Sequence, residues 1–171
     1  MTERMTGRQP RVLVGVDGSP AARAALEFAV REARMRGATL MAIMAVELPD
    51  YAWIDPYAVR AHPADDTLQR ARRELDRILT AAGADGLDVD SVVTATPAPQ
   101  VLVDRSADSD LLVVGSRGHG GFRGLVLGSV SMQCVLHAHC PVTVVHAEEQ
   151  PDARTHRTVE DARRETTVPF I

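Results

Sequence analysis

The chain has 171 residues, is 45% hydrophobic but only 4% aromatic, and carries a net charge of −4. That describes one domain of ordinary size, with a core of Val, Leu, Ala and Met, and it argues against a general nucleic-acid or anionic-membrane surface. All 19 basic residues are arginine, which excludes a Walker lysine, a Schiff-base lysine and a Ser-x-x-Lys pair, since guanidinium cannot replace an amine in those chemistries.

Residues 1–9 are polar and read as a flexible N-terminus. Residues 11–16 (RVLVGV) predict a buried strand, because the apolar run does not alternate. Asp17-Gly18-Ser19-Pro20 follows, with Ser19 suited to cap a helix and Pro20 to its first position. Ala22, Ala25, Leu26, Ala29, Val30 and Ala33 mark that helix, and Gly37 stops it. Residues 39–46 (TLMAIMAV) predict a second buried strand. The segment 47–64 breaks the pattern: it holds Trp53, Tyr51, Tyr57, Pro49, Pro56 and Pro63, and reads as a long loop. Its aromatics seal the top of the second strand, cover a ligand or contact a partner protein.

An amphipathic helix is predicted from Asp65 or Asp66, with Leu68, Ala71, Leu75, Ile78, Leu79 and Ala82 on one stripe and Gly83 as its stop. Residues 87–95 predict a third strand and Pro99 a short helix through Ala107. Residues 111–114 (LLVV) form a fourth strand, a helix spans 129–139, and residues 141–146 (PVTVVH) close the pattern as a fifth strand. Strands alternating with helices imply an α/β fold with a parallel sheet covered on both faces. Residues 148–171 mix acids and arginines and read as a polar C-terminal tail.

Cys134 and Cys140 make no disulfide framework, no apolar leader follows the N-terminal arginines, and no apolar run reaches membrane-spanning length. A soluble, cytoplasmic setting is the expectation. His137, His139 and Cys140 lack the paired spacing of a structural zinc site, and histidines at a helix end are favoured by its dipole. No metal ligand and no catalytic residue is assigned.

The segment 115–129, GSRGHGGFRGLVLGS, stands directly behind the fourth strand and carries the spacing G-x2-G-x9-G-S at Gly115, Gly118, Gly128 and Ser129. Such a loop between a strand and a helix can turn many backbone N–H groups toward one anion. Ligands of an open parallel sheet bind beyond the strand carboxyl ends where the order reverses, so the first and fourth strands are expected to flank the crevice. Arg117 and Arg123 supply the cations the lysine-free chain otherwise lacks. Asp17 reads as a ligand-facing carboxylate or as a turn residue; His119 reads as a solvated loop position.

On VGVDGS, LLVVGSRGHGG, the full glycine spacing and CPVTVVH, the chain resembles the universal stress protein family in its ATP-binding branch, from about residue 11 to 147. The resemblance implies a Rossmann-like, five-stranded parallel sheet in order 3-2-1-4-5 within a nucleotide-binding domain at 10–147. It further implies a homodimer through Val142, Thr143, Val144 and Val145, an edge that would otherwise lie exposed. It places Asp17, Gly18 and Ser19 beside the ribose and phosphates, with the backbone of Val46 reading adenine. Gly115, Arg117 and Gly118 become the near wall of the phosphate loop, and Gly128, Ser129, Val130 and Ser131 its far end. ATP is the implied ligand, accompanied by Mg2+ or Mn2+. The implied role is a stress-responsive regulator acting through its ligand-bound state on a protein partner. The alternatives are a slow ATPase or adenylate-transferring hydrolase on the same scaffold, and a dimeric interaction module without nucleotide. The second strand ends Met44-Ala45-Val46 where many members have Leu-His-Val.

Overall fold

The computed structural model describes residues 8–47, 63–118 and 127–147. The aromatic segment with Trp53, most of the N-terminal stretch, His119, Arg123 and the tail from 148 therefore lie outside the described residues. In chain order the elements are β1 (Arg11–Gly15), α1 (Pro20–Arg36), β2 (Thr39–Ala45), α2 (Pro63–Ala81), β3 (Val89–Thr94), α3 (Ala98–Ser106), β4 (Leu111–Gly115), α4 (Ser129–His137) and β5 (Val142–Val145).

The five strands pair parallel throughout, in the order β3-β2-β1-β4-β5. In register, Leu13 of β1 stands opposite Met41 of β2 and Leu112 of β4. The absence of alternation in the sequence is explained here: Val12, Leu13 and Val14 face opposite sides in turn, yet all are fully buried because both faces are covered. On one face Val12, Val14, Leu40, Ala42 and Val113 pack against Leu26, Ala29 and Val30 of α1 and Leu75, Ile78 and Leu79 of α2. On the other, Leu13, Met41, Ile43, Leu112 and Val114 meet Val101 and Leu102 of α3 and Cys134 of α4. Burial pushes the Cys134 thiol up to about 11, so it stays protonated and unreactive in the core at neutral pH.

The strand order and the general right-handedness of parallel crossovers account for the layering. The chain steps outward from β1 through β2 to β3 with α1 and α2 on one side. It then crosses to β4 and β5 with α3 and α4 on the other. The order thus reverses between β1 and β4, and their carboxyl ends open a crevice between diverging connections.

Local signals set the boundaries. The Ser19 hydroxyl accepts from the Ala22 amide at 3.2 Å, with Pro20 starting α1 as expected. Gly37 ends it in the left-handed region at φ 59°, and the Ala38 amide closes onto the Ala33 carbonyl at 2.9 Å. Most boundaries shift by a residue or two from the sequence expectation, three of them instructively. α2 begins at Pro63 rather than Asp65, because a proline's fixed φ already suits a first helical turn. β2 stops at Ala45, and α4 stops at His137, with Ala138 extended ahead of Pro141.

Candidate functional site

A cleft of about 500 Å³ opens beyond the carboxyl ends of β1, β2 and β4. Its first wall is the turn after β1. The Asp17 Oδ1 accepts from the Ser19 amide at 2.9 Å, a local turn that fixes the carboxylate's direction, and Gly18 takes the positive φ of 83° this turn requires. The other carboxylate oxygen faces Gly118: a Cβ built there would lie 2.5 Å from Asp17 Oδ2. Residues a hundred positions apart thus enclose one space, and it is glycine at 118 that leaves room for the acid.

The second wall is the connection from β4 to α4. Gly115 is pressed against the start of α1; a Cβ there would stand 2.7 Å from the Ala21 carbonyl carbon and 2.8 Å from the Ala22 nitrogen. Ser116, which sequence reasoning left without a role, is buried at the pivot. Its amide donates to the Val145 carbonyl at 2.7 Å, and its carbonyl accepts from the Gly128 amide at 2.7 Å and faces the Ser131 hydroxyl at 3.1 Å. One carbonyl therefore clasps the start of the β4–α4 connection to its end at α4. Ser131 also lies 3.0 Å from the Gly128 carbonyl, a bond back to the preceding turn that small hydroxyl residues commonly make.

α4 begins at this clasp with Gly128 extended and no side chain capping its first turn. The amides of Ser129 and Val130 thus stand at a helix start that lines the cleft, where unpaired donors and the helix dipole favour an anion. Arg117 is the cation among the described lining residues; Asp17 and Glu47 are the acids. The opposite end of the cleft is apolar, formed by Ile43 and Ala45 of β2, Ala98 and Leu102 of α3, and Val114.

Of the residues singled out from the sequence, Asp17, Gly115, Arg117, Gly118, Gly128, Ser129, Val130 and Ser131 are brought together on this cleft. Gly18 and Ser19 stand behind it. Ser19 is buried, capping α1, with its hydroxyl 3.4 Å from the Arg117 carbonyl, so it braces the two walls against each other. Val46 does not join them: its side chain packs on the α1–α2 side of the sheet and its amide donates to the Thr94 carbonyl at 2.9 Å. Period-two alternation puts Ala45 and Glu47 on the cleft instead. Applied to residues 41–47, that alternation would have found Glu47 from sequence.

A second hollow, about 570 Å³, lies at the opposite ends of the strands among Arg8, Arg11, Thr39, Asp88, Asp90 and Asp108. Within it Thr39 donates to Asp88 at 2.8 Å, and Arg8 lies 3.6 Å from Asp108. Among the described residues, no group of three or more His, Cys, Asp and Glu is placed to hold a metal ion. None of the described helices is long and apolar enough to cross a membrane.

Comparison with known proteins agrees with this geometry. The model of the family described as "Universal stress protein family" matches residues 10–146. Universal stress protein Rv2623 of Mycobacterium tuberculosis is 35% identical over 148 residues, covering 81% of this chain and 48% of the relative. The chain spans about half the length of the curated relatives it matches first. Among solved structures, universal stress protein UspA from Lactobacillus plantarum superposes with a TM-score of 0.56 at 26% identity, over 82% of this chain and 99% of that one. A universal stress protein solved in complex with cAMP superposes at 0.53 with 28% identity, over 82% and 99%.

Proposed function

This chain belongs to the universal stress protein family, and we propose that it binds ATP and acts as a stress-responsive regulator through its ligand-bound state. The observation that carries the reading is the cleft in which the uncapped start of α4, the glycines at 115, 118 and 128, and Arg117 converge. A cAMP complex in a relative of the same fold supports a nucleotide as the ligand class. The triphosphate would rest on the amides of Ser129 and Val130, with Arg117 meeting charge that no lysine in this chain can meet. A divalent cation such as Mg2+ or Mn2+ suits the donor set: magnesium is commonly held by one carboxylate plus phosphate oxygens, and Asp17 is the carboxylate beside the loop. Cytoplasmic location, the domain limits at 10–147 and an unidentified regulatory protein partner belong to the same proposal.

Protein purified without added ligand, denatured and chromatographed, is expected to release an adenine nucleotide, and isothermal titration of the stripped protein to show ATP binding. A stripped, folded protein that binds no nucleotide would leave only the interaction-module reading.

We also propose a homodimer through β5. The strand has one neighbour in the sheet, β4, and its four residues are only half-buried. Beside it α4 exposes Met132, Val135 and Leu136 at helical spacing, with Leu136 63% exposed. Light scattering at micromolar concentration is expected to give a dimeric mass, and Leu136→Asp to lower it toward the monomer. A monomeric wild type sinks the proposal.

A further inference from the structure

Glu47 is a charged side chain on the cleft that lies well away from the phosphate loop, and we infer that it reads the base of the bound nucleotide by accepting a hydrogen bond from an exocyclic amino group. The inference rests on the nucleotide-binding reading above and specifies its base end.

Its position follows from the pleat. Met41, Ile43, Ala45 and Glu47 project from one face of β2 and its extension. Met41 and Ile43 are buried in the core beneath α3 and α4, with Ile43 at the floor of the cleft, and Ala45 and Glu47 follow it along the cleft wall. The strand order then sets a row. The glycine loop follows β4, Asp17 follows β1, and Glu47 follows β2. Each step is one interstrand spacing, so Glu47 stands about 9–10 Å sideways from the strand that carries the phosphate loop. A nucleotide laid across this row has its phosphates at β4 and α4, its sugar over β1 and its base over β2.

The walls suit that placement. Ile43, Ala45, Ala98 and Leu102 make an apolar slot for a flat ring. An amino group entering such a slot loses water and needs an acceptor. The Val46 amide is a donor, and it is already taken by Thr94. A glutamate carboxylate is acceptor-only, and Glu47 has no hydrogen-bond or ion-pair partner among the described residues. Asp17, one strand closer to the loop, is the carboxylate placed for the sugar and phosphates.

The test compares ATP with purine riboside 5′-triphosphate, which lacks the 6-amino group, by titration calorimetry on the full chain. Removing a negative charge shifts both polyanions alike, so the affinity ratio is the readout. Wild type is expected to prefer ATP by about tenfold or more, the usual gain from a hydrogen bond to a charged acceptor. Glu47→Ala is expected to bring the ratio to near one. Glu47→Gln, which keeps an acceptor oxygen, should retain part of it. An undiminished ratio in Glu47→Ala overturns the inference while leaving nucleotide binding intact. So does a variant that loses its preference for ATP over 2′-deoxy-ATP instead, which would assign the carboxylate to the sugar. A wild type that binds neither triphosphate removes both readings.

Discussion

Replacing Gly115 by alanine is expected to lower the midpoint of thermal unfolding by about 4–10 °C. The added methyl would meet the Ala21 carbonyl carbon at 2.7 Å and the Ala22 nitrogen at 2.8 Å. Both are backbone atoms at the start of a helix capped by Ser19, so neither can swing aside as a side-chain tip would. Overpacking of this kind costs about 1–3 kcal/mol, and a domain of this size loses a few degrees per kcal/mol. The cost arises from crowding alone, since Gly115 does not have a positive φ. Gly128→Ala is the matched control. A Cβ there meets nothing nearer than Arg117 Cα at 3.5 Å, an ordinary contact, so only the smaller preference of a helix N-cap for glycine over alanine remains and the midpoint should fall less than at Gly115. Equal effects in the two variants, measured by calorimetry, would show that the close approach of α1 to β4 is not what demands glycine at 115.

The same pair of glycines shows what the sequence makes legible. The spacing at 115, 118 and 128 announces an anion loop, but not that each glycine serves a different contact. Gly115 admits a helix, Gly118 admits a carboxylate, and Gly128 begins a helix whose first turn no side chain caps. The strands could be read because a parallel sheet buried on both faces demands unbroken apolar runs, as residues 12–14 and 111–114 provide. The caps at Ser19 and Gly37 could be read because they are side-chain and chirality effects internal to one segment.

What escaped depends on pairing between distant segments. The order of β1 and β4 came from the family resemblance and a topological rule, and the pairing bears it out. The clasp at Ser116 uses a backbone carbonyl, which every residue has, so no residue type marks it. For Val46, whose backbone the resemblance implies as the adenine reader, the direction of the amide is decided by β3, which pairs with β2 and supplies the Thr94 carbonyl. The face that α4 leaves uncovered, Met132 with Val135 and Leu136, becomes visible only once Cys134 is seen to be the side that packs inward.

Gly118→Ala is expected to lower nucleotide affinity by about tenfold or more while leaving the unfolding midpoint nearly unchanged, the reverse of the balance at Gly115. Gly118 is exposed, so a methyl there disturbs no core packing. It does meet Asp17 Oδ2 at 2.5 Å, closer than any real contact. Asp17 Oδ2 is the tip of a side chain and can yield at small cost to the fold, but its direction is set by Oδ1, which accepts from the Ser19 amide at 2.9 Å in the turn that leads into α1. The carboxylate must rotate away from the space it shares with the glycine loop, and any cation or sugar hydroxyl held there loses its partner. Displacement of Asp17, as opposed to general loop stiffening, predicts a specific non-additivity. In an Asp17→Ala background the methyl has nothing to displace, so the double variant should bind no more weakly than Asp17→Ala alone. Losses that instead simply add would separate the two positions, and the enclosure of one ligand by the β1 turn and the glycine loop would no longer hold.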